Sequence, residues 1–169
     1  PQSNQWLVAS YADNKIWKVD NSTAAISELI KPSNYKNDVG YAFYSHHPDT
    51  IFILCDGSLL LYLPQKNKWS KINLPSPWNN GTVTCMATDA AGNYWLGTRR
   101  KGLIVYNVLT KKIWTPYKDI KEANIIHALE YDKASNCMWI ASYSTGLHQY
   151  NFADSSLRHI QRDDADINA

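Results

Sequence analysis

The sequence predicts an all-β chain of β-propeller blades, each of four antiparallel strands, forming a partial propeller of about three and a half to four blades cut from a larger ring. Three observations carry that expectation. Short apolar strands recur with a period of about 44 residues, polar turns rich in Asp, Asn and Gly separate them, and no stretch sustains a 3.6-residue apolar period over three turns. The recurrence is anchored on an aromatic that opens a strand: Trp6 in WLVAS, Phe52 in FILCD, Trp95 in WLGTR and Trp139 in WIASY, spaced by 46, 43 and 44 residues. A β-sandwich would account for short strands, but not for landmarks that recur in register.

The first unit, about 1–32, is incomplete: the chain opens almost directly on Trp6, followed by Trp17 and an outer strand at Ile26–Ile30. Units at about 33–77, 78–120 and 121–162 are whole. Each has a leading strand with apolar residues three apart (Val39/Ala42, Val83/Met86, Ile126/Leu129), then the anchor strand. A strand ending in Tyr62, Tyr106 or Tyr150 follows, and then an outer strand at Trp69–Ile72, Ile113–Tyr117 or Leu157–Ile160. Asp89 and Asp132 open the turn into the anchor strand, and Gly92 suits the positive φ that a tight hairpin needs. Asn107–Lys111 and Asn151–Asp154 close the next hairpin. The tail, 163–169, is expected to begin a further strand. Two uncovered apolar flanks then follow, and with them contacts to further blades or self-association as a homodimer.

Composition limits the partners. The 169 residues carry 17 Lys plus Arg against 15 Asp plus Glu, a net charge of +2, which gives no reason to expect nucleic acid or membrane contact. Aromatics make up 12% of the chain, ample for a packed core. No apolar run reaches the ~18 residues of a membrane span. Cys55, Cys85 and Cys137 are too few and too dispersed for a zinc module or a disulfide framework. The chain starts at Pro1 without Met, as expected of a mature or excised segment.

The third unit, Val83 to Tyr117, closely resembles the two-component regulator propeller repeat. That pattern runs I-x-x-I-x-x-D-x-x-G-x-L-W-I-G-T-x-x-x-G-L-x-x-Y, and Val83, Met86, Asp89, Gly92, Tyr94–Thr98, Gly102-Leu103 and Tyr106 occupy its places. The fourth unit matches through Ile126, Leu129, Asp132, Met138–Ser142, Gly146-Leu147 and Tyr150. The second carries Ser45 and Phe52 at the Asp and Trp places, and the first has no clear Gly-Leu. The resemblance implies the periplasmic sensor region of a Bacteroidetes-type hybrid two-component histidine kinase. In that family a glycan fragment bound outside controls phosphorylation inside and the genes of polysaccharide utilisation. It implies an extracytoplasmic site and a parent that carries the kinase.

Within the segment no catalysis, cofactor or metal is expected. His46-His47 has no third ligand at a suitable spacing, His127 and His148 fall in strands, and there is no phosphate-binding loop. A propeller-type carbohydrate-active enzyme would need acid and base residues clustered at one rim, and here the carboxylates are scattered. Of the seven Trp, the repeat absorbs six as packing residues, Trp69 and Trp114 in outer strands among them. Trp78 is left over, in the inter-blade connection Leu74-Pro-Ser-Pro-Trp-Asn-Asn-Gly81. An exposed indole beside amides suits an oligosaccharide. Turns between second and third strands share that rim in a propeller, which adds Tyr11, Asp13, Arg99, Arg100 and Tyr143 as candidates. The sequence assigns Trp78, Arg99, Arg100, Tyr143 and Tyr11 as candidate ligand-binding residues.

Overall fold

A computed structural model describes residues 5–10, 12–47, 49–116 and 125–160, with the side chains of 5, 46 and 47 left aside. Tyr11, Tyr117 and the tail 163–169 lie outside the described residues. The chain forms four antiparallel sheets in sequence order. The first has three strands: β1 (Gln5–Ser10), β2 (Lys15–Asp20) and β3 (Ile26–Glu28). The second contains β4 (Gly40–His47), β5 (Thr50–Cys55), β6 (Ser58–Leu63) and β7 (Lys68–Asn73). In the third are β8 (Val83–Thr88), β9 (Tyr94–Thr98), β10 (Leu103–Tyr106) and β11 (Ile113–Trp114), and in the fourth β12 (Ile126–Asp132), β13 (Cys137–Ser142), β14 (Gly146–Asn151) and β15 (Leu157–Ile160). Every strand pairs with its neighbour in sequence, the simplest way to satisfy backbone groups when turns are short. The helical content of the described residues is two single 3-10 turns, Ser33–Tyr35 and Pro64–Lys66.

The chain divides into two compact units, 1–84 and 85–169. In the second, the third and fourth sheets share a core of Ala87, Trp95, Leu103 and Val105 on one side and Ile126, Leu129, Met138 and Ile140 on the other. Gly97 is obligatory here, because a Cβ would stand 2.4 Å from Cys85 Sγ and 2.7 Å from an Ile126 methyl. The buried Trp95 indole meets the Tyr150 and Phe152 rings at centroid distances of 5.1 and 5.4 Å. Its polar edge is satisfied from its own hairpin: Nε1 donates to Asp89 Oδ2 at 2.9 Å. Asp89 also accepts the backbone N–H of Ala91 and Asn93 and the Asn93 amide at 2.9–3.0 Å. One buried carboxylate thus shapes the β8–β9 turn and supplies the acceptor that a buried indole requires. Asp132 shapes the β12–β13 turn in the same way, accepting from Ala134 N and the Ser135 hydroxyl.

In the first unit Ile16 and Leu29, with Leu7 beside them, pack on Ile53, Cys55, Leu60 and Tyr62. Here the structure corrects the expected alignment. Strand pairing places Trp95 opposite Val105, Trp139 opposite Gln149 and Phe52 opposite Leu61, and the matching pair in the first sheet is Leu7 with Lys18. Leu7, not Trp6, is the anchor of that sheet. Side chains alternate across a strand, so one residue of slip sends Trp6 and Trp17 to the opposite face. Trp6 is 63% exposed, with Val8 and Ile26 exposed beside it. Trp114 is corrected likewise: it pairs with Val105, whereas Trp69 pairs with Tyr62 and stacks on it at 4.7 Å. Trp114 therefore belongs to the other face of its sheet and remains 40% exposed. β4 runs through position 47, so His46-His47 lies in strand backbone and not in the expected turn.

Replacing Asp89 by Ala leaves a buried indole N–H and two turn amides without acceptors, and is expected to cost about 2–4 kcal/mol. Trp6→Ala is expected to stay within about 0.5 kcal/mol of the parent chain. Urea denaturation of both variants checks the pair, and equal losses would contradict the register drawn here.

Candidate functional site

Trp78 lies in the first unit, on the connection that leaves β7, and it is half-buried rather than exposed as expected. The connection is closed by Trp78 N–H to Pro75 O at 2.9 Å and Gly81 N–H to Trp78 O at 3.0 Å. It is seated on the β5–β6 turn: Gly57 N–H donates to Gly81 O, and Leu74 N–H to Gly57 O. Gly57 has φ +57°, and a Cβ there would sit 2.0 Å from Asn79 O, so only glycine allows the turn to approach this closely. Beside it Asp56 accepts the Tyr41 hydroxyl at 2.7 Å and the Thr82 hydroxyl at 2.6 Å. An exposed carboxylate with two hydroxyl partners therefore adjoins the turn on which the Asn79 backbone is seated. The sequence reading missed Asp56 and Tyr41. Strand pairing of Gly40 with Cys55 brings them together, and no local motif records that pairing.

The opposite end of the β1–β2 hairpin, away from Gln5, carries a second polar group. Lys31 Nζ donates to Asn14 Oδ1 and to Asp38 O, each at 2.6 Å, and Lys71 forms an ion pair with Asp38. Burial lowers the Lys31 pKa. Burial, with the Asp38 charge adding to it, pushes the nearby Cys55 thiol up to about 12. Asp13 is exposed, and the Ser10 hydroxyl is the main cause holding its carboxyl below the usual range.

In the second unit, Arg99 and Arg100 are exposed on the β9–β10 turn. Thr98 closes that turn beneath them: its hydroxyl donates to Gly102 O at 2.8 Å and accepts Lys101 N–H at 2.9 Å. Tyr143, 76% exposed, opens the β13–β14 turn, with its ring 5.8 Å from that of His127. Gly97 touches Ile126, and Ile126 pairs with Ser142, so the two turns leave the same end of this unit. Behind Tyr143 the Ser142 and Thr145 hydroxyls meet at 2.9 Å, and Thr145 Oγ1 meets His148 Nε2 at 2.8 Å. His148 is buried and stacked on His159 at 4.8 Å; burial first, and then the neighbouring ring, lowers its pKa. The structure thus gathers Arg99, Arg100 and Tyr143 at one end of the second unit and holds Trp78 on the connection seated on the β5–β6 turn of the first. Tyr11 lies outside the described residues. Among the described residues no three His, Cys, Asp or Glu side chains are grouped to hold a metal ion, and no helix is long and apolar enough to cross a membrane.

Residues 77–100 match the family described as two component regulator propeller, a span that takes in Trp78, Asp89, Trp95, Arg99 and Arg100. The fold is similar to that of the extracellular domain of the putative hybrid two component system BT4673 from B. thetaiotaomicron. The match has a TM-score of 0.73 at 20% identity and covers 99% of this chain and 22% of that one. It is also similar to the extracellular domain of the putative hybrid two component system BT3049 from the same organism, with a TM-score of 0.67 at 20% identity over 95% of this chain and 20% of that one. The chain therefore spans about a fifth of the length of these domains. Four antiparallel sheets in sequence order, matched over nearly their whole length, establish the partial propeller. No curated protein sequence matches the chain.

Gly57→Ala is expected to destabilise the chain by at least about 1 kcal/mol and to loosen the Trp78 connection. Hydrogen exchange at Gly81 and Leu74 checks this, and unchanged protection would contradict it. Because the folded Cys55 holds its proton above its ordinary range, its contribution to stability is complete below about pH 9 and is lost as the pH rises towards 12. Iodoacetamide at pH 8 is accordingly expected to spare Cys55 until the chain unfolds, as read by peptide mass spectrometry. Modification at the unfolded rate would count against the buried thiol.

Proposed function

We propose that this chain, which carries a two-component regulator propeller repeat, is a ligand-sensing segment of the extracytoplasmic region of a hybrid two-component sensor. The match over residues 77–100 carries this reading, because its Asp and Trp places are the ones that the Asp89–Trp95 bond makes structurally indispensable. Similarity over 99% of the chain to an extracellular sensor domain supports the periplasmic side of the membrane. In this reading the segment recognises and does not catalyse. Phosphoryl transfer, and control of polysaccharide-utilisation genes, belong to other parts of the parent.

The ligand class is an oligosaccharide. Supporting it are a half-buried indole followed by Asn79 and Asn80 on a connection seated on the turn that bears Asp56, and the exposed Tyr143 at the same end as a two-arginine turn. Aromatic faces stack on sugar C–H groups while amides and carboxylates bond hydroxyls, and the Arg pair favours an acidic glycan. The second reading is architectural: the segment spaces domains, contacts further blades or builds a homodimer surface. The exposed Trp6, Val8 and Ile26 face favours it.

Calorimetric titration of the full sensor region with oligosaccharides from partially hydrolysed plant and host polysaccharides separates the two. Trp78→Ala and Arg99→Ala are each expected to weaken binding by about tenfold or more. Titration heats identical to the parent's would leave the architectural reading.

A further inference from the structure

A recess of about 300 Å³ opens in the second unit, at the end of the third sheet opposite the Arg99–Arg100 turn. Its walls include Trp95, Trp114, Tyr150 and Phe152, with Asp89 and Asn136 among its polar members. Trp114 has no packing reason to be there. In the pairing register its place is held by Ser27 in the first sheet, Ser70 in the second and Arg158 in the fourth. The repeat therefore tolerates small or polar side chains at this place, and here a large aromatic stands 40% exposed across from Tyr150 and Phe152.

The electrostatics of the recess are one-sided. Asp89 is 7% exposed and accepts four N–H donors, two on each oxygen. All four donors are neutral, and among the described residues no cationic side chain pairs with it. No Lys, Arg or His lines the recess. Aromatic rings carry negative faces, and four of them lining one recess with a carboxylate that no described cation pairs with make a place for positive charge. A hydrated metal ion is poorly matched, since the carboxylate oxygens are already saturated. A weakly hydrated cation of larger radius fits both the volume and the aromatic walls.

We propose that this recess binds a small organic ammonium ion among the Trp114, Tyr150 and Phe152 rings, beside the Asp89 carboxylate. The site is separate from the oligosaccharide rim and does not depend on it.

The test is isothermal titration calorimetry of the intact chain with choline chloride at constant ionic strength, with sodium chloride as the blank. The neutral isostere 3,3-dimethylbutan-1-ol provides the comparison. The expected result is saturable choline binding with Kd on the order of 1 mM, and at least about tenfold weaker binding of the alcohol. Trp114→Ala is expected to abolish the choline response, and Trp114→Phe to retain part of it, both with an unchanged melting temperature. Equal binding of the alcohol would show an ordinary apolar recess and overturn the proposal. So would a lack of saturation well above that concentration, or choline binding that survives Trp114→Ala in full.

Discussion

The buried carboxylate of Asp89 is the point on which the second unit turns. A Trp at the centre of a sheet–sheet core brings a large apolar surface and one N–H donor, and that donor must find an acceptor away from water. Asp89 provides it from six residues upstream and spends its remaining capacity on the turn amides of Ala91 and Asn93. The same three bonds therefore fix the hairpin and aim the indole at Tyr150 and Phe152. Local turn chemistry and long-range packing are one interaction here.

A second constraint is the two-residue period of the strands. Each sheet must present apolar residues to both neighbours, and pairing register decides which neighbour a given side chain meets. Phe52, Trp95 and Trp139 hold one place and Leu7 holds it in the first sheet, although Trp6 stands beside it and looks the stronger candidate. The consequence is an apolar face on which Trp6, Val8 and Ile26 are exposed, with Trp17 half-buried beside them under the Lys15 ammonium. In the fourth sheet the corresponding face, with Met138 and Ile140, is packed against the third.

The loops are where these constraints relax. Gly57 lets a turn touch backbone, which holds the Trp78 connection without spending side chains on it, and Thr98 closes the Arg99–Arg100 turn from below. The strands beneath these loops are satisfied by their own ladders, so the loops are closed by turn hydrogen bonds alone.

The sequence by itself determined the period, the number of units, the four-stranded blade and the Asp turn that opens the anchor strand. Each depends on residues close together in the chain, and local propensity acts there. It also named Trp78, Arg99, Arg100, Tyr143 and Tyr11 as candidates for ligand binding. Only the tertiary structure decided that Leu7 displaces Trp6, that Trp114 faces a recess, that Trp78 is half-buried and that Asp56 meets Tyr41 and Thr82. In each case the deciding quantity is the register between strands distant in sequence. A shift of one residue there reverses the face without altering the composition or the period.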